Sequence, residues 1–404
     1  MQISGRAMVM LMAAAQIGSL LPHVAVPAVM PSHLIPEWGL SYSEAGLMAA
    51  SYAAGYMCAV PVLTTLTDRI DARWILFWGS LVSGAATILF GVFASGLVSA
   101  ILLWGFSGIG FAGAYMPGLK ALTDRLGQGD ASRSITLYTA SFSVGVGVSF
   151  LVAQLVADRW GWRTAFVVTG LGPAAMAAVA LLLRPVTPPP RSGPLLDFKP
   201  VLRNRTALGY VLGYGAHCFE LYGARTWLVA FWGFVTAQAG GAAVDAVTVS
   251  VVFSVLSLPA SVLGNEAALR FGRHRAITLV MLASALVAIA LGVTAAASPW
   301  LSMLLLFLYA FTVPADSGAL TSGVTGAADP HFRGATLALH SMVGFGLSAL
   351  GGWAVGVAID AAGGPATLHG WMAAFFVMAA GILLGPLALW WSRRATGAGK
   401  PAGG

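Results

Sequence analysis

Charge is the scarcest commodity in this chain. Asp, Glu, Lys and Arg make up 9% of 404 residues, while apolar residues make up 58%. A soluble globular domain carries roughly one quarter charged residues, so an ordinary water-facing surface is excluded, and the mean hydropathy of +0.83 agrees. Two cysteines are present, Cys58 and Cys218, both inside apolar runs. That excludes a disulfide framework and leaves the redox compartment unread. A Walker-type glycine loop is missing, which removes direct drive by ATP. Gly-x-Gly pairs at 108–110, 145–147 and 344–346 lie within helical runs, where close helix packing explains them. His, Cys, Asp and Glu do not cluster with ligand spacing, so neither a metal nor a cofactor is expected. No Ser/His/Asp set stands out by spacing, and an enzyme is not expected. Short alternating segments of a membrane barrel are missing too.

What the chain has instead is apolar runs of about twenty residues, the length of helix that crosses a bilayer core. Twelve are expected, at 8–31, 43–66, 74–94, 97–120, 134–157 and 164–184, then 207–234, 245–266, 276–297, 299–322, 334–362 and 370–392. The fold class is an all-α membrane protein with twelve transmembrane helices. Arg6 ahead of the first run imitates a secretion signal, but the run is too long for one. The one long polar break, LRPVTPPPRSGPLLDFKPVLRNR (183–205), is proline-rich and reads as a semi-rigid linker. Four parts follow: a six-helix bundle over 1–184, a cytoplasmic linker over 185–206, a second six-helix bundle over 207–394 and a cytoplasmic tail over 395–404.

Cytoplasmic loops of membrane proteins retain Lys and Arg. With the N-terminus inside, 18 of the 21 basic residues fall on the cytoplasmic side, Arg159 and Arg163 fall outside, and Arg225 lies within the membrane. Both termini are therefore expected in the cytoplasm, in a multi-pass protein of the plasma (inner) membrane. The same bias explains the formal charge of +7, and no nucleic-acid partner is expected because no basic stripe alternates with aromatics.

The halves repeat each other. RSITLYTASF (133–142) matches RGATLALHSM (333–342), GWRTAFVV (161–168) matches GWMAAFFV (370–377), and ALT recurs at 121–123 and 319–321. Three matches in one order at nearly one offset indicate internal duplication. Two pseudo-symmetric bundles about an axis along the membrane normal, with a cavity between them at the midplane, are the expected consequence.

LTTLTDRIDARW (63–74), after the second run, resembles the loop motif of the major facilitator superfamily, Gly-x-Leu-x-Asp-Arg-x-Gly-Arg-Lys. Leu66, Asp68, Arg69 and Arg73 match it; Thr64, Asp71 and Ala72 depart. GNEAALRFGRHR (264–275) keeps Arg270, Gly272, Arg273 and Arg275 in the second half, with Leu269 in the acidic position. WGFSGIGFAG (104–113) is similar to the family's fourth-helix pattern, with Trp104 where proton-coupled members often have Arg. The resemblance implies alternating access by two rocking bundles, with Asp68, Arg69, Arg73, Arg270 and Arg273 as gating residues. Its competitor is a solvated turn that merely obeys the charge bias. Lys120 and Asp316 occupy nearly equivalent places in the two halves, and a bridge between them in the outward-open state is a further expectation, weighed against simple snorkelling of Lys120.

The seventh run holds AHCFELYGARTWLVAF (216–231), with a histidine, a glutamate and an arginine within nine positions. Charge at bilayer depth is costly and marks protein interior or a pathway. At 100° per residue from Tyr214, Arg225 falls at about 20°, Cys218 at about 40° and Tyr222 at about 80°, with Glu220 at about 240° and His217 at about 300°. These positions read as one broad polar face turned to the cavity, joined by Gln16, Ser19 and His23 from the first run. Three readings compete. In one, Arg225 binds a substrate anion while Glu220 and His217 carry a proton. In another, Glu220 and Arg225 pair with other helices to hold the bundle. In the third, Arg225 snorkels outward. His340 reads as a satisfied interior histidine or as a ligand.

The expected function is secondary transport of a small organic or inorganic anion with proton coupling, by a monomer in a lipid bilayer. The seventh run resembles cyanate and nitrate/nitrite carriers, but the Asn-containing glycine motif of nitrate carriers is missing from SVGVGVSF (143–150) and GFGLSALGG (344–352). Drug or metabolite efflux is the leading alternative, and a non-transporting ligand sensor is a third.

Overall fold

Apolar length dictates the elements. A computed structural model describes residues 5–126, 131–188, 198–241 and 244–397; the middle of the linker (189–197) and the end of the tail (398–404) lie outside the described residues. These are helices joined by short turns, and no strand occurs among the described residues. Ten helices are long and apolar enough to cross a membrane. The remaining two spans differ from those ten for physical reasons.

Span one is broken. It runs as Gly5–Ser19, a turn, Ala25–Val29, a π-helical stretch Met30–Leu34 and Ile35–Trp38, so it extends past the expected end at 31. Pro22, Pro27, Pro31 and Pro36 punctuate it, each removing a backbone donor. Span seven, Arg205–Gln238, is one unbroken helix of 34 residues, 23 of them buried. Span eight, Ala246–Phe271, buries 8 of 26. Protein therefore surrounds span seven, and that is how it tolerates polar residues all round.

The other spans are Tyr42–Leu66, Ala72–Phe93, Leu97–Thr123, Ala131–Trp160 and Trp162–Leu182 in the first half. Arg273–Thr294, Pro299–Ala327, Arg333–Ala361 and Leu368–Gly397 complete the second half. Span ten is interrupted at 313–316, where Pro314 cannot continue the ladder, and restarts as Ser317–Ala327. Span two begins at a capping box, with Ser41 Oγ accepting from the Glu44 N–H and the Glu44 carboxylate accepting from the Ser41 N–H.

The halves meet along three seams: span two on span eleven, span five on span eight, and the Ala25–Val29 segment on span seven. The first seam is traceable in detail from the end of the molecule away from the chain termini. Gly46 faces the Gly352 carbonyl and Trp353 Cα, where a methyl group would press at 3.0 and 3.1 Å. A side chain on Gly356 would strike the Tyr42 carbonyl. Asp360, in the last turn of span eleven, accepts from the Tyr42 N–H (3.2 Å), the Ser43 N–H (2.7 Å) and the Ser43 hydroxyl (2.6 Å). A carboxylate of one half thus caps the positive amino end of a helix in the other. Tyr42 also stacks on Trp227 with centroids 4.8 Å apart, and Tyr56 stacks on Phe345 nearer mid-span at 3.7 Å.

Candidate functional site

Below that seal, side chains from both halves converge. Span seven contributes Arg225, 4% exposed, whose guanidinium lies 5.7 Å from the centroid of Tyr222. The Tyr222 hydroxyl is hydrogen-bonded to His23 Nε2 of span one at 3.1 Å, across the boundary between halves. His23 lies edge-on to Tyr52 at 5.4 Å and Phe142 at 5.2 Å. Tyr222 approaches Phe345 at 5.8 Å, and Phe345 carries the stack with Tyr56. About two turns further toward the termini, Tyr214 stacks on His340 of span eleven at 3.8 Å and on His217 at 5.6 Å.

Among the described residues no carboxylate pairs with Arg225, and its buried Nε has no hydrogen-bond partner. His23 Nδ1, the hydroxyls of Tyr52, Tyr56 and Ser19, His340 Nδ1 and Gln16 Nε2 are likewise buried without partners. Gln16 Oε1 is satisfied by the Tyr138 hydroxyl at 2.8 Å. Natural proteins rarely leave so many polar groups unmatched in one region. They lie where side chains of the two halves meet.

Glu220 and His217 do not join this group. The broad face divides, and Glu220 points into the second half's own interior. Its Oε1 accepts from Ser284 of span nine at 2.8 Å and from Tyr309 of span ten at 3.0 Å. His217 Nδ1 lies 2.6 Å from Asp316 Oδ1, with both side chains almost fully buried. Asp316 stands at the break in span ten. Beyond Glu220, the stripe Ala224, Leu228 and Phe231 of span seven lines an apolar pocket with Phe253, Trp371 and Phe375.

The expected gate between Lys120 and Asp316 is not made. Lys120 Nζ is held by Asp124 of its own helix at 2.9 Å, and Asp316 is committed to His217. Turned toward span seven, Asp316 faces away from the first half. The loop motif also works differently from expectation, because Asp71, the residue that departs from the pattern, is its hub. Arg125 Nη2 donates to both Asp71 oxygens at 2.7 and 2.9 Å, and the Val186 N–H donates at 2.8 Å. Arg73 adds its N–H to Asp71 and its Nη1 to the Leu183 carbonyl at 2.9 Å. Burial raises the Asp71 carboxyl, but Arg125 and the donors of Val186 and Arg73 outweigh it and hold the group below its ordinary value. The clamp joins spans two, three, four and six within one half. Asp68 and Arg69 flank it and have interactions of their own. In the second half Arg270 is exposed over Phe271, and Arg273 is half-buried with Nε unpartnered. Trp104 packs against Tyr52 at 5.0 Å, so the fourth-helix position supplies an aromatic wall.

Sequence reasoning passed over Tyr52, Tyr56 and Phe345. The spacing of Tyr52 and Tyr56 places both on one helix face, a signal available in SYAAGY (51–56). Asp360 and Asp71 drew no attention because their partners are distant in sequence.

Comparison with known proteins fits this architecture. Residues 12–352 match the sequence profile of the Major Facilitator Superfamily. The chain belongs to that family. Members of the Major Facilitator Superfamily similar to it in sequence include Multidrug resistance protein Stp of Mycobacterium tuberculosis (strain CDC 1551 / Oshkosh), 28% identical over 171 residues, 41% of this chain and 29% of Stp. The D-galactonate transporter of Escherichia coli O6:H1 is 26% identical over 144 residues, 35% of this chain and 33% of that protein. Membrane sensor protein UhpC of Salmonella typhimurium is 29% identical over 150 residues, 37% of this chain and 32% of UhpC. The matched stretches thus span about a third or less of each relative. Among solved structures, a bacterial homolog of the human lysosomal transporter Spinster, inward-facing and occupied, aligns with a TM-score of 0.76 at 17% identity, covering 96% of both chains. The nucleoside transporter NupG aligns at 0.72 and 15% identity, covering 95% of this chain and 99% of NupG. Together with the profile match, these likenesses establish the superfamily fold of a multi-pass membrane protein.

Proposed function

We propose that this transporter moves a small anion together with a proton by alternating access, as a monomer in the plasma (inner) membrane with both termini cytoplasmic. The reading rests on Arg225, a buried cation at the junction of the two halves with no carboxylate to neutralise it. An arginine so placed is expensive when empty and is relieved by an anionic guest. The His217–Asp316 pair is the proton-binding element, since an imidazole nitrogen and a carboxylate oxygen lie 2.6 Å apart, both almost fully buried, at the break of a helix. With the termini inside, the Asp360 seal closes the outer face. Counterflow in proteoliposomes tests the proposal: exchange of a labelled monoanion, lost in Arg225→Gln, is the expected result. An exchange-inactive protein that still binds anions would instead be a sensor.

Drug efflux is the alternative, favoured by the aromatic pocket beside Glu220 and by the likeness to Stp. Lipophilic cations exchanging in place of anions, with dependence on Glu220 and none on Arg225, would establish it.

A further inference from the structure

We infer that the anion is an aromatic monocarboxylate: a single carboxylate on a flat ring. This rests on the anion reading of Arg225 and deepens it. The charge comes first. Arg225 brings one positive charge to the seam; Lys120 is taken by Asp124 and His217 by Asp316. A monoanion cancels that charge, whereas a phosphate monoester or dicarboxylate would keep a net negative charge in a low-dielectric region.

The orphaned groups come second. Arg225 Nε and the Tyr52 and Tyr56 hydroxyls all carry protons to donate. His23 Nδ1 joins them when the Tyr222 hydroxyl donates to Nε2, because the ring proton then resides on Nδ1. A carboxylate offers only acceptors and satisfies such a set. A polyhydroxy acid brings donors of its own and needs acceptors that the set lacks.

The walls come third. His23, Tyr52, Phe142, Tyr222 and Phe345 present rings at mutual centroid distances of 5.2 to 5.9 Å where they approach one another. Rings at this separation already contact one another, so a guest ring would join the cluster on a free face or edge by the same offset or T-shaped geometry. Arg225 also suits the class, since a guanidinium grips a carboxylate with two parallel bonds while its plane lies near the aromatic Tyr222.

The full-length protein in detergent decides the matter by thermal shift and by titration of tryptophan fluorescence. The probes are benzoate, gluconate, inorganic phosphate, acetate and neutral benzyl alcohol. Benzoate is expected to bind at least about tenfold more tightly than any of the others. Phe345→Leu should weaken benzoate about tenfold and leave acetate unchanged; Arg225→Gln should weaken binding of every anion about 100-fold, and Arg225→Lys, the variant to use should Gln prevent folding, keeps the charge but should weaken benzoate about tenfold because the two-bond grip is lost. Gluconate or phosphate binding as tightly as benzoate, with Arg225 still required, would overturn the aromatic class and leave the anion reading standing. Benzyl alcohol equal to benzoate, and Arg225→Gln without effect, would overturn both. Absence of benzoate binding overturns the inference outright.

Discussion

Two buried ionisable groups sit five residues apart on one helix and have opposite circumstances. Glu220 is enclosed by its own half and answered by Ser284 and Tyr309. Arg225 faces the other half, beside Tyr222 and His23, and no carboxylate answers it. The first has one carboxylate oxygen answered twice within its own half, although its Oε2 is buried without a partner. The second lies where the halves meet, and that difference in surroundings distinguishes the two better than burial does, since both are buried.

Breaking the Arg225 side should have the largest effect. Arg225→Gln is expected to weaken anion binding about 100-fold, the equivalent of two charge-assisted hydrogen bonds, as read by equilibrium binding to the purified protein. Next comes Asp316→Asn. It leaves the anion contacts in place, so counterflow should persist within about threefold, while accumulation driven by a pH gradient disappears; loss of both activities would show that the pair is merely structural.

Asp360→Asn should shift the population toward the outward-open form about tenfold, because its single amide oxygen can accept from Ser43 or from Tyr42 but not from both, and the charge at the amino end of span two is lost. Labelling of a cysteine introduced at the seam from the outside measures it. Asp71→Asn should lower the melting temperature by a few degrees. Its carboxyl is depressed in the folded state, so the stabilisation is present above the ordinary carboxylate value of about 3.9 and fades as pH falls through the lower folded value. The gap between wild type and Asp71→Asn should thus be constant from pH 7 to about 4 and close below. Glu220→Gln sharpens the comparison from the other side: an amide oxygen still accepts from Ser284 and Tyr309, and anion affinity should change less than threefold.

Twelve spans were legible because hydrocarbon demands long apolar helices with few charges, and eleven of them lie close to their expected limits. The break at 20–24 and the interruption at 313–316 were not, since Pro22 and Pro314 leave the hydropathy of their runs intact. That Arg225, Tyr222 and His23 turn inward was legible because polar groups at bilayer depth need a reason, and the three meet there. The orientation of Glu220 was already implicit in its projection, nearly opposite Arg225, and grouping all the polar positions into one face concealed it. Asp360, Asp71 and the Lys120 partnership were beyond reach: each depends on which atom of a distant segment arrives beside it. Periodicity within a helix carries no record of that.

Span seven runs from Arg205 to Gln238 without interruption. His217 and Arg225 are eight residues apart on it, roughly 12 Å at 1.5 Å per residue. Mounted on a single rigid shaft, proton loading at one position cannot relocate its helix without dragging the guanidinium along. Under the proposed pairing of anion with proton, synchrony between the two requires no relay of intervening side chains, only the stiffness of a backbone.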